Sequence, residues 1–244
     1  MKYLIELSFL GKNYYGWQKQ LAQPTVQAEL NKALSIFFRE NISTVGCGRT
    51  DMGVHAIQFY AHFESGSAIY DIKDPIYHLN AILPPDIAIK NINLVPDDFH
   101  ARYSAISRTY SYLITKNKNP ILIDRAWFFD KTINTQLIKD NLSTLMGIHD
   151  FSAFAKKMPI SNYNCNIYDA TIQEYKDYII FSITANRFLR QMVRSIVGAL
   201  ISIGSNAAEE KLLNELLLHK DRSKIKIIAP PQGLYLTKVT YPKN

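Results

Sequence analysis

The stretch that most constrains this fold is residues 47–56, which read CGRTDMGVHA and lie between two runs that are typical of strands. Upstream, residues 43–45 indicate a short strand. Downstream, residues 57–64 alternate apolar and polar side chains, which is the period of a half-buried strand. Gly48 and Gly53 allow backbone angles that other residues resist. We therefore predict a tight connection held between two strands, and functional side chains are often placed on such connections.

Length and composition narrow the class of protein. The chain has 244 residues, of which 47% are hydrophobic and 20% charged, as in a folded globular protein rather than a disordered one. The net charge of +7 favours a polyanionic partner such as nucleic acid, although an enzyme can be this basic without one. Two cysteines, no signal-peptide pattern and no run of about 20 apolar residues predict a reduced, cytoplasmic protein without a membrane segment.

In the first half of the chain, hydrophobic periodicity predicts the order strand, helix, strand, strand, helix, strand. The first strand is predicted to bury every second residue from Tyr3 to Phe9. Thr25 is the predicted N-cap of the first helix. The buried stripe of that helix is predicted to be Val26, Leu30, Ala33, Leu34 and Phe37. A second helix over residues 75–82 stops at a Pro-Pro pair, and a strand over residues 87–95 follows.

The second half approximately repeats this order. Strands are predicted over residues 108–114 and 126–129, and a hairpin over residues 168–184 is turned at residues 176–177. The predicted helices cover residues 137–146, which Gly147 ends, a run from the cap Asn186 to about residue 203, and residues 207–218. The last predicted strand covers residues 234–241.

This order of elements predicts an α+β fold, built as two similar α/β halves with largely antiparallel sheets around a central basic cleft. The predicted division is residues 1–102, which carry the Asp51 loop, and residues 103–244, which carry a tyrosine strand and an arginine helix. No linker of low complexity separates them.

Asp51 is the leading candidate for chemistry. An unperturbed Asp titrates near pH ~4, so the side chain is a carboxylate at neutral pH. Arg49 lies two residues before it and His55 four residues after it. Such a carboxylate can attack an electrophilic carbon, take up a proton or bind a metal. No second acid lies at ligand spacing, so no metal site is predicted. The alternative is that Asp51 and Arg49 only decorate a polar turn.

Basic residues in the second half indicate contact with a polyanion. Helical spacing would put Arg187, Arg190 and Arg194 on one side of a helix. They would form either a phosphate-facing row or a solvated basic face. Arg194 lies deepest in the apolar run and is the best placed of the three to pair with a buried carboxylate.

Arg108, Tyr110 and Tyr112 are predicted to share one face of a strand. Interleaved aromatic and basic side chains can stack bases while holding phosphates. Tyrosines on strands are also common for packing alone, so both interpretations stay open. No glycine pattern with a lysine that would cradle a phosphate occurs here, so no nucleotide cofactor is predicted.

Several motifs, in order along the chain, resemble one family. In the first half they are residues 14–18 (YYGWQ), 25–27 (TVQ) and 48–56 (GRTDMGVHA). Further along they are residues 99–102 (FHAR), 108–110 (RTY), 188–189 (FL), 192–194 (MVR) and 229–234 (APPQGL). Together they resemble the tRNA pseudouridine synthase A (TruA) family over nearly the whole chain. Met52, where alanine is usual, and Leu10, where aspartate is common, depart from its pattern.

The resemblance implies an isomerase that converts uridine to pseudouridine in the anticodon stem-loop of tRNA, at tRNA positions 38 to 40. It implies that Asp51 is the nucleophile and that Tyr110 packs on the target base. Arg194 would be the partner of the catalytic Asp, and Arg49 would enter the space of the flipped nucleotide. Family members act as homodimers on tRNA, and the reaction needs no cofactor and no metal.

The resulting catalytic set is Asp51, Arg194 and Tyr110. The substrate-binding set is Tyr110, Arg49, His55, Arg108, Arg187 and Arg190. Two alternatives are a non-catalytic RNA-binding protein of the same fold and a hydrolase that uses Asp51 on a nucleoside or phosphoester. The sequence leaves open whether Asp51 attacks ribose or base, what removes the C5 proton, and which neighbouring uridine is preferred.

Overall fold

The computed structural model describes residues 1–69, 73–157, 159–206 and 209–242. Within these ranges the strands are β1 (Lys2–Phe9), β2 (Val45–Gly46), β3 (His55–Glu64), β4 (Ile87–Leu94), β5 (Ser107–Thr115), β6 (Trp127–Phe128), β7 (Gly147–Asp150), β8 (Asn164–Glu174), β9 (Tyr178–Ala185) and β10 (Leu234–Thr240). The α-helices are α1 (Val26–Phe38), α2 (Pro75–Ile82), α3 (Thr135–Asn141), α4 (Met192–Ser205) and α5 (Leu212–His219). The α+β class with largely antiparallel pairing is confirmed.

The chain forms two compact units. The first consists of residues 1–106 and the chain from residue 236 on, and the second consists of residues 107–235. The sequence-based division fell after residue 102 and placed the whole of the last strand in the second half. The chain returns to the first unit within β10. No pattern in the neighbouring residues predicts this return, because it depends on which strand β10 pairs with.

The sheet of the first unit has β1 at its centre. β1 pairs antiparallel with β3 on one side and with β4 on the other, so that Ile5 lies opposite both Ala61 and Ile92. β2, which leads into the Asp51 loop, pairs antiparallel with β3 through Ala61 and His62, in the half of β3 that is distant from the loop. Tyr3, Ile5, Leu7 and Phe9 are buried, as the alternation predicted. This rigid, fully paired centre anchors both strands that flank the loop.

Helix α1 covers the buried face of this sheet. The Thr25 hydroxyl accepts the Ala28 N–H, so the predicted N-cap is confirmed. The predicted stripe is correct up to Leu34, but its last member is Phe38 rather than Phe37. The Phe38 ring packs against the rings of Tyr3 and Phe63, and this contact across the core selects the buried residue.

The second unit is built on the β8–β9 hairpin, which was predicted. β9 pairs antiparallel with β5 and with β8, and β7 extends the sheet beyond β8. β6 lies parallel to β5. The strand β7 was not predicted. Helix α3 ends at Asn141, a 3-10 turn follows, and Gly147 opens β7 instead of capping the helix.

The start of helix α4 differs from the prediction. The helix begins at Met192, not after Asn186, and it follows Gln191 in the left-handed conformation at φ 62°. The Asn186 side chain instead accepts the N–H groups of Asn166 and Arg187. Arg187 and Arg190 therefore lie before the helix. The predicted row of Arg187, Arg190 and Arg194 on one helical face is wrong.

The predicted limits of two short elements also differ from the observed ones. The short strand predicted over residues 43–45 is β2, which occupies only Val45–Gly46. The helix predicted over residues 207–218 is α5, which begins at Leu212. Residues 207 and 208, where that prediction began, lie outside the described residues.

Candidate active site

The Asp51 loop is the connection from β2 to β3, residues 47–54. Its first residue is fixed because the Cys47 N–H donates to the Tyr60 carbonyl at 2.7 Å. Beyond Asp51 the chain turns, and the Val54 N–H donates back to the Asp51 carbonyl at 3.2 Å. Gly53 has φ +79°, so this turn needs a glycine there. Asp51 is half-buried at the turn, between two fixed ends.

A second segment, residues 11–17, supports the loop from the side. The Trp17 N–H donates to the Thr50 carbonyl, and the Gly53 N–H donates to the Tyr14 carbonyl, both at 3.3 Å. Gly16 lies so close to the loop that a Cβ atom would be 2.3 Å from the Thr50 oxygen. The structure shows that this segment holds residues 50–54 through backbone contacts.

His55 also links the segment of residues 11–17 to the end of the Asp51 loop. Its side chain is only 1% exposed, and Nδ1 accepts the Gly11 N–H at 2.9 Å. The buried imidazole of His55 therefore holds the start of β3 against residue 11. Its assignment to the substrate-binding set stays a prediction. Met52, in contrast, is 52% exposed, so its extra bulk beside Asp51 faces outward.

In the second unit, β5 carries Arg108 and Tyr110 beside the segment that precedes α4. The Tyr110 ring packs edge-on against the Phe188 ring, with centroids 5.2 Å apart. The Arg108 guanidinium donates to the Asn186 carbonyl at 2.9 Å. Tyr110 and Arg108 are both half-buried. The structure thus brings Arg108 and Tyr110 together with residues 186–188, although these residues are not helical.

Tyr112, on the same face, belongs to the core instead. Its side chain is 0% exposed, and its hydroxyl donates to the Pro230 carbonyl at 2.6 Å. Burial raises the pKa of Tyr112 far above its usual value. Gly233 approaches the ring so closely that a Cβ atom would be 2.6 Å from it. Of the two interpretations of this strand face, the structure therefore supports packing for Tyr112.

The segment that holds Tyr112 also holds Arg194. The Arg194 Nε–H donates to the Ala229 carbonyl at 2.7 Å, and the Ala229 N–H donates to the Arg194 carbonyl at 3.1 Å. Residues 229–234 therefore orient the Arg194 guanidinium on the first turn of α4 and pack against the buried Tyr112 of β5. The motif thus has a structural role that the sequence did not predict. The pattern that could have indicated it is a pair of prolines separated by one residue from a glycine.

A family model described as tRNA pseudouridine synthase matches residues 7–104 and 142–242, which include Asp51 and Arg194. The chain belongs to the tRNA pseudouridine synthase family. Tyr110 and Arg108 fall between the two matched ranges. Membership makes this synthase an isomerase that forms pseudouridine in tRNA, as the resemblance implied.

Curated relatives support the same family over nearly the whole length of the chain. The tRNA pseudouridine synthase A of Dictyoglomus thermophilum is 39% identical over 240 residues, covering 97% of this chain and 98% of the relative. That of Thermoanaerobacter sp. (strain X514) is 41% identical and covers 98% of each chain. That of Parabacteroides distasonis is 37% identical and covers 100% of this chain and 97% of its own.

The three other arginines that were predicted to bind substrate differ in how exposed they are. Arg49 is exposed on the Asp51 loop. Arg190 is exposed before α4, where its carbonyl accepts the Lys156 N–H at 3.0 Å, and Arg187 is half-buried nearby.

Among the described residues, no group of three or more His, Cys, Asp or Glu side chains is placed to hold a metal ion. No described helix is long and apolar enough to cross a membrane.

Proposed function

We propose that this synthase isomerises uridines of the tRNA anticodon stem-loop, at tRNA positions 38 to 40, with Asp51 as the nucleophile. The observation that carries the proposal is the Asp51 loop, in which Asp51 is half-buried and backbone hydrogen bonds fix the main chain on both sides of it. A carboxylate held in this way is preorganised for attack on an electrophilic carbon. Family membership supports uridine in tRNA as the substrate.

The target uridine must first leave its stack, which costs a few kcal/mol and is offset by contacts in the site. Arg49, exposed on the same loop as Asp51, is suited to occupy the space that the base vacates. The bond between N1 and the ribose then breaks, the uracil turns, and a bond forms from the ribose to C5. N1 gains a proton and C5 loses one, so the product is an isomer of the substrate.

Asp51 has three possible first steps, which are attack on the ribose, attack on the uracil and removal of a ribose proton. Each begins from the carboxylate, so each fails in Asp51→Asn. Tyr110 and Arg194 keep the roles that the family resemblance gives them, as cover for the base and as partner of the catalytic Asp. The contact of Arg194 with Ala229 supports this role, because it orients the guanidinium without neutralising it.

The proposal also includes a homodimer with tRNA lying across both subunits, and a cytoplasmic location. Both rest on the family resemblance. Arg108, Arg187 and Arg190 are the proposed phosphate contacts, since guanidinium groups match phosphate oxygens in geometry and charge.

The test uses unmodified tRNA with tritium at uridine C5. We expect the wild-type protein to release tritium without added metal or cofactor, because isomerisation removes the C5 proton. Asp51→Asn should reduce the release at least about a thousandfold while retaining tRNA binding, since it removes the nucleophile at constant size. Glu64→Gln is the matched control and should retain full activity, because Glu64 is an exposed carboxylate at the far end of β3.

The outcomes separate the alternatives. A hydrolase would release free uracil or phosphate, whereas an isomerase leaves the mass of the RNA unchanged. A non-catalytic RNA-binding protein would bind tRNA tightly and release no tritium. Equal release by the wild-type protein and Asp51→Asn would exclude Asp51 as the nucleophile.

A further inference from the structure

We propose that a pocket beside the Asp51 loop is a subsite for a second nucleotide, an unpaired neighbour of the uridine that is isomerised. We call it the side pocket. Its wall includes Gly48, Arg49, His100, Arg102 and Tyr103, all of which belong to the first unit. The proposal rests on the proposed function, since it takes the RNA substrate as given.

The side pocket adjoins the reacting site without being part of it. Gly48 and Arg49 come from the Asp51 loop, so one wall of the pocket is the loop itself. Asp51 is not among the described residues that line it. The cavity has a volume of about 210 Å³, smaller than the roughly 300–1,000 Å³ that drug-sized ligands occupy. It suits one base of a longer RNA rather than a whole free cofactor.

Part of the lining is a cluster of flat side chains that lie against one another. Tyr103 is 75% exposed, and the His100 ring lies 4.3 Å from its ring, between centroids. The Arg102 guanidinium carbon lies 5.6 Å from the centre of the Tyr103 ring. Aromatic rings and guanidinium planes are the surfaces on which proteins stack splayed-out bases. A large aromatic side chain left this exposed at the rim of a pocket therefore points to a base as its partner.

The turn that carries Tyr103 is held rigidly from beneath. Nδ1 of His62 accepts the Ala101 N–H at 3.1 Å. Nδ1 of His100 accepts the N–H groups of Arg102 and Tyr103 at 3.2 and 3.3 Å. Three consecutive backbone donors are thus bound by imidazoles. Because the turn is already ordered, stacking a base on Tyr103 costs little conformational entropy.

Charge and polarity in the side pocket fit a nucleotide. Arg49 and Arg102 supply two cations, and the described lining contains no acidic residue. The Gln18 amide also lines the pocket, and its Nε2–H group is oriented by donating to Gln27 Oε1 at 2.8 Å. A stacked base could meet this amide with its edge while its phosphate meets Arg102. An RNA chain threaded past Arg49 would place a neighbouring nucleotide here as the target uridine reaches Asp51.

The test is a double-mutant cycle between Tyr103 and single bases of the RNA. A set of anticodon stem-loop RNAs, each lacking one base other than the target, is titrated against the wild-type protein, Tyr103→Ala and Tyr103→Phe. We expect one position at which removing the base weakens wild-type binding by about 5- to 150-fold, the range found for base stacking on aromatic side chains. At that position, base removal should have almost no further effect on Tyr103→Ala. Tyr103→Phe, which keeps the ring, should behave as the wild-type protein.

Turnover supplies a second readout. In Tyr103→Ala, the KM for the stem-loop should rise by more than kcat falls, because stacking a neighbouring base contributes mainly to binding. A subsite is excluded if base removal weakens all three proteins equally at every position, or if Tyr103→Ala lowers kcat with KM unchanged. Failure of the proposed function would appear separately, as absence of tritium release by the wild-type protein, because the binding cycle requires no turnover.

Discussion

At residue 16 the chain has φ +88°, and a Cβ atom there would lie 2.3 Å from the Thr50 carbonyl oxygen. Gly16→Ala must either strain the backbone or push the Asp51 loop away. We expect it to lower the free energy of unfolding by about 1–3 kcal/mol and to reduce turnover, because Asp51 follows Thr50 directly.

The control for this prediction is Gly48→Ala in the same loop. A Cβ atom at Gly48 would have no atom within 4 Å, and its φ is not positive. This variant should change the free energy of unfolding by less than about 0.5 kcal/mol. Urea unfolding monitored by tryptophan fluorescence measures both. Equal stability of the two alanine variants would show that the Gly16 contact does not hold the loop.

The stability of the protein is predicted to depend on pH through His62, whose Nδ1 accepts the Ala101 N–H of the FHAR motif. Burial, followed by the charges of His100 and Lys2, lowers the pKa of His62 to about 4. The unfolded chain takes up this proton near pH 6.5. Between pH 6.5 and 4 the unfolded state therefore binds more protons, and stability falls as the pH decreases. The full contribution of neutral His62 is present above about pH 6.5.

We expect His62→Asn to flatten this part of the pH profile. The Asn side-chain oxygen can accept the Ala101 N–H in place of Nδ1, but it does not titrate. Urea midpoints at pH 7 and pH 5 should differ more in the wild-type protein than in the variant. The extra slope in the wild-type protein is at most about 1.4 kcal/mol per pH unit. Parallel profiles would mean that His62 keeps an ordinary pKa in the folded state.

At the scale of the whole molecule, the net charge of +7 predicts that RNA binding depends strongly on salt. Arg108, Arg187 and Arg190, together with Arg102 of the side pocket, are the candidate phosphate contacts. At about 0.7–0.9 released counterions each, four contacts give a plot of log Kd against log salt with a slope of about 3. We expect Arg190→Gln to reduce the slope by about 1.

Lys131→Gln is the matched control, since Lys131 is exposed but lies outside the candidate site. It should leave the slope nearly unchanged, and fluorescence anisotropy with a labelled stem-loop measures each variant. A slope that falls equally in both variants would indicate a diffuse attraction to total charge rather than contact at Arg190.

The sequence by itself determined those features that depend on neighbours along the chain. Thr25 caps α1 through an N–H three residues away, and the proline at residue 75 opens α2 at the predicted boundary. The β8–β9 hairpin follows from its alternation and short turn. Asp51 and the family could be identified from the sequence because the motif around Asp51 is contiguous.

The tertiary structure alone decided the features that join residues distant in sequence. His55 is buried where its Nδ1 accepts the Gly11 N–H, and Tyr112 is buried where its hydroxyl donates to the Pro230 carbonyl. Helix α4 starts late because Asn186 pairs with Asn166 on β8 instead of capping. The side pocket joins residues near 48 to residues near 102. Periodicity and motifs describe how one segment is buried, whereas these contacts depend on which distant segment packs against it.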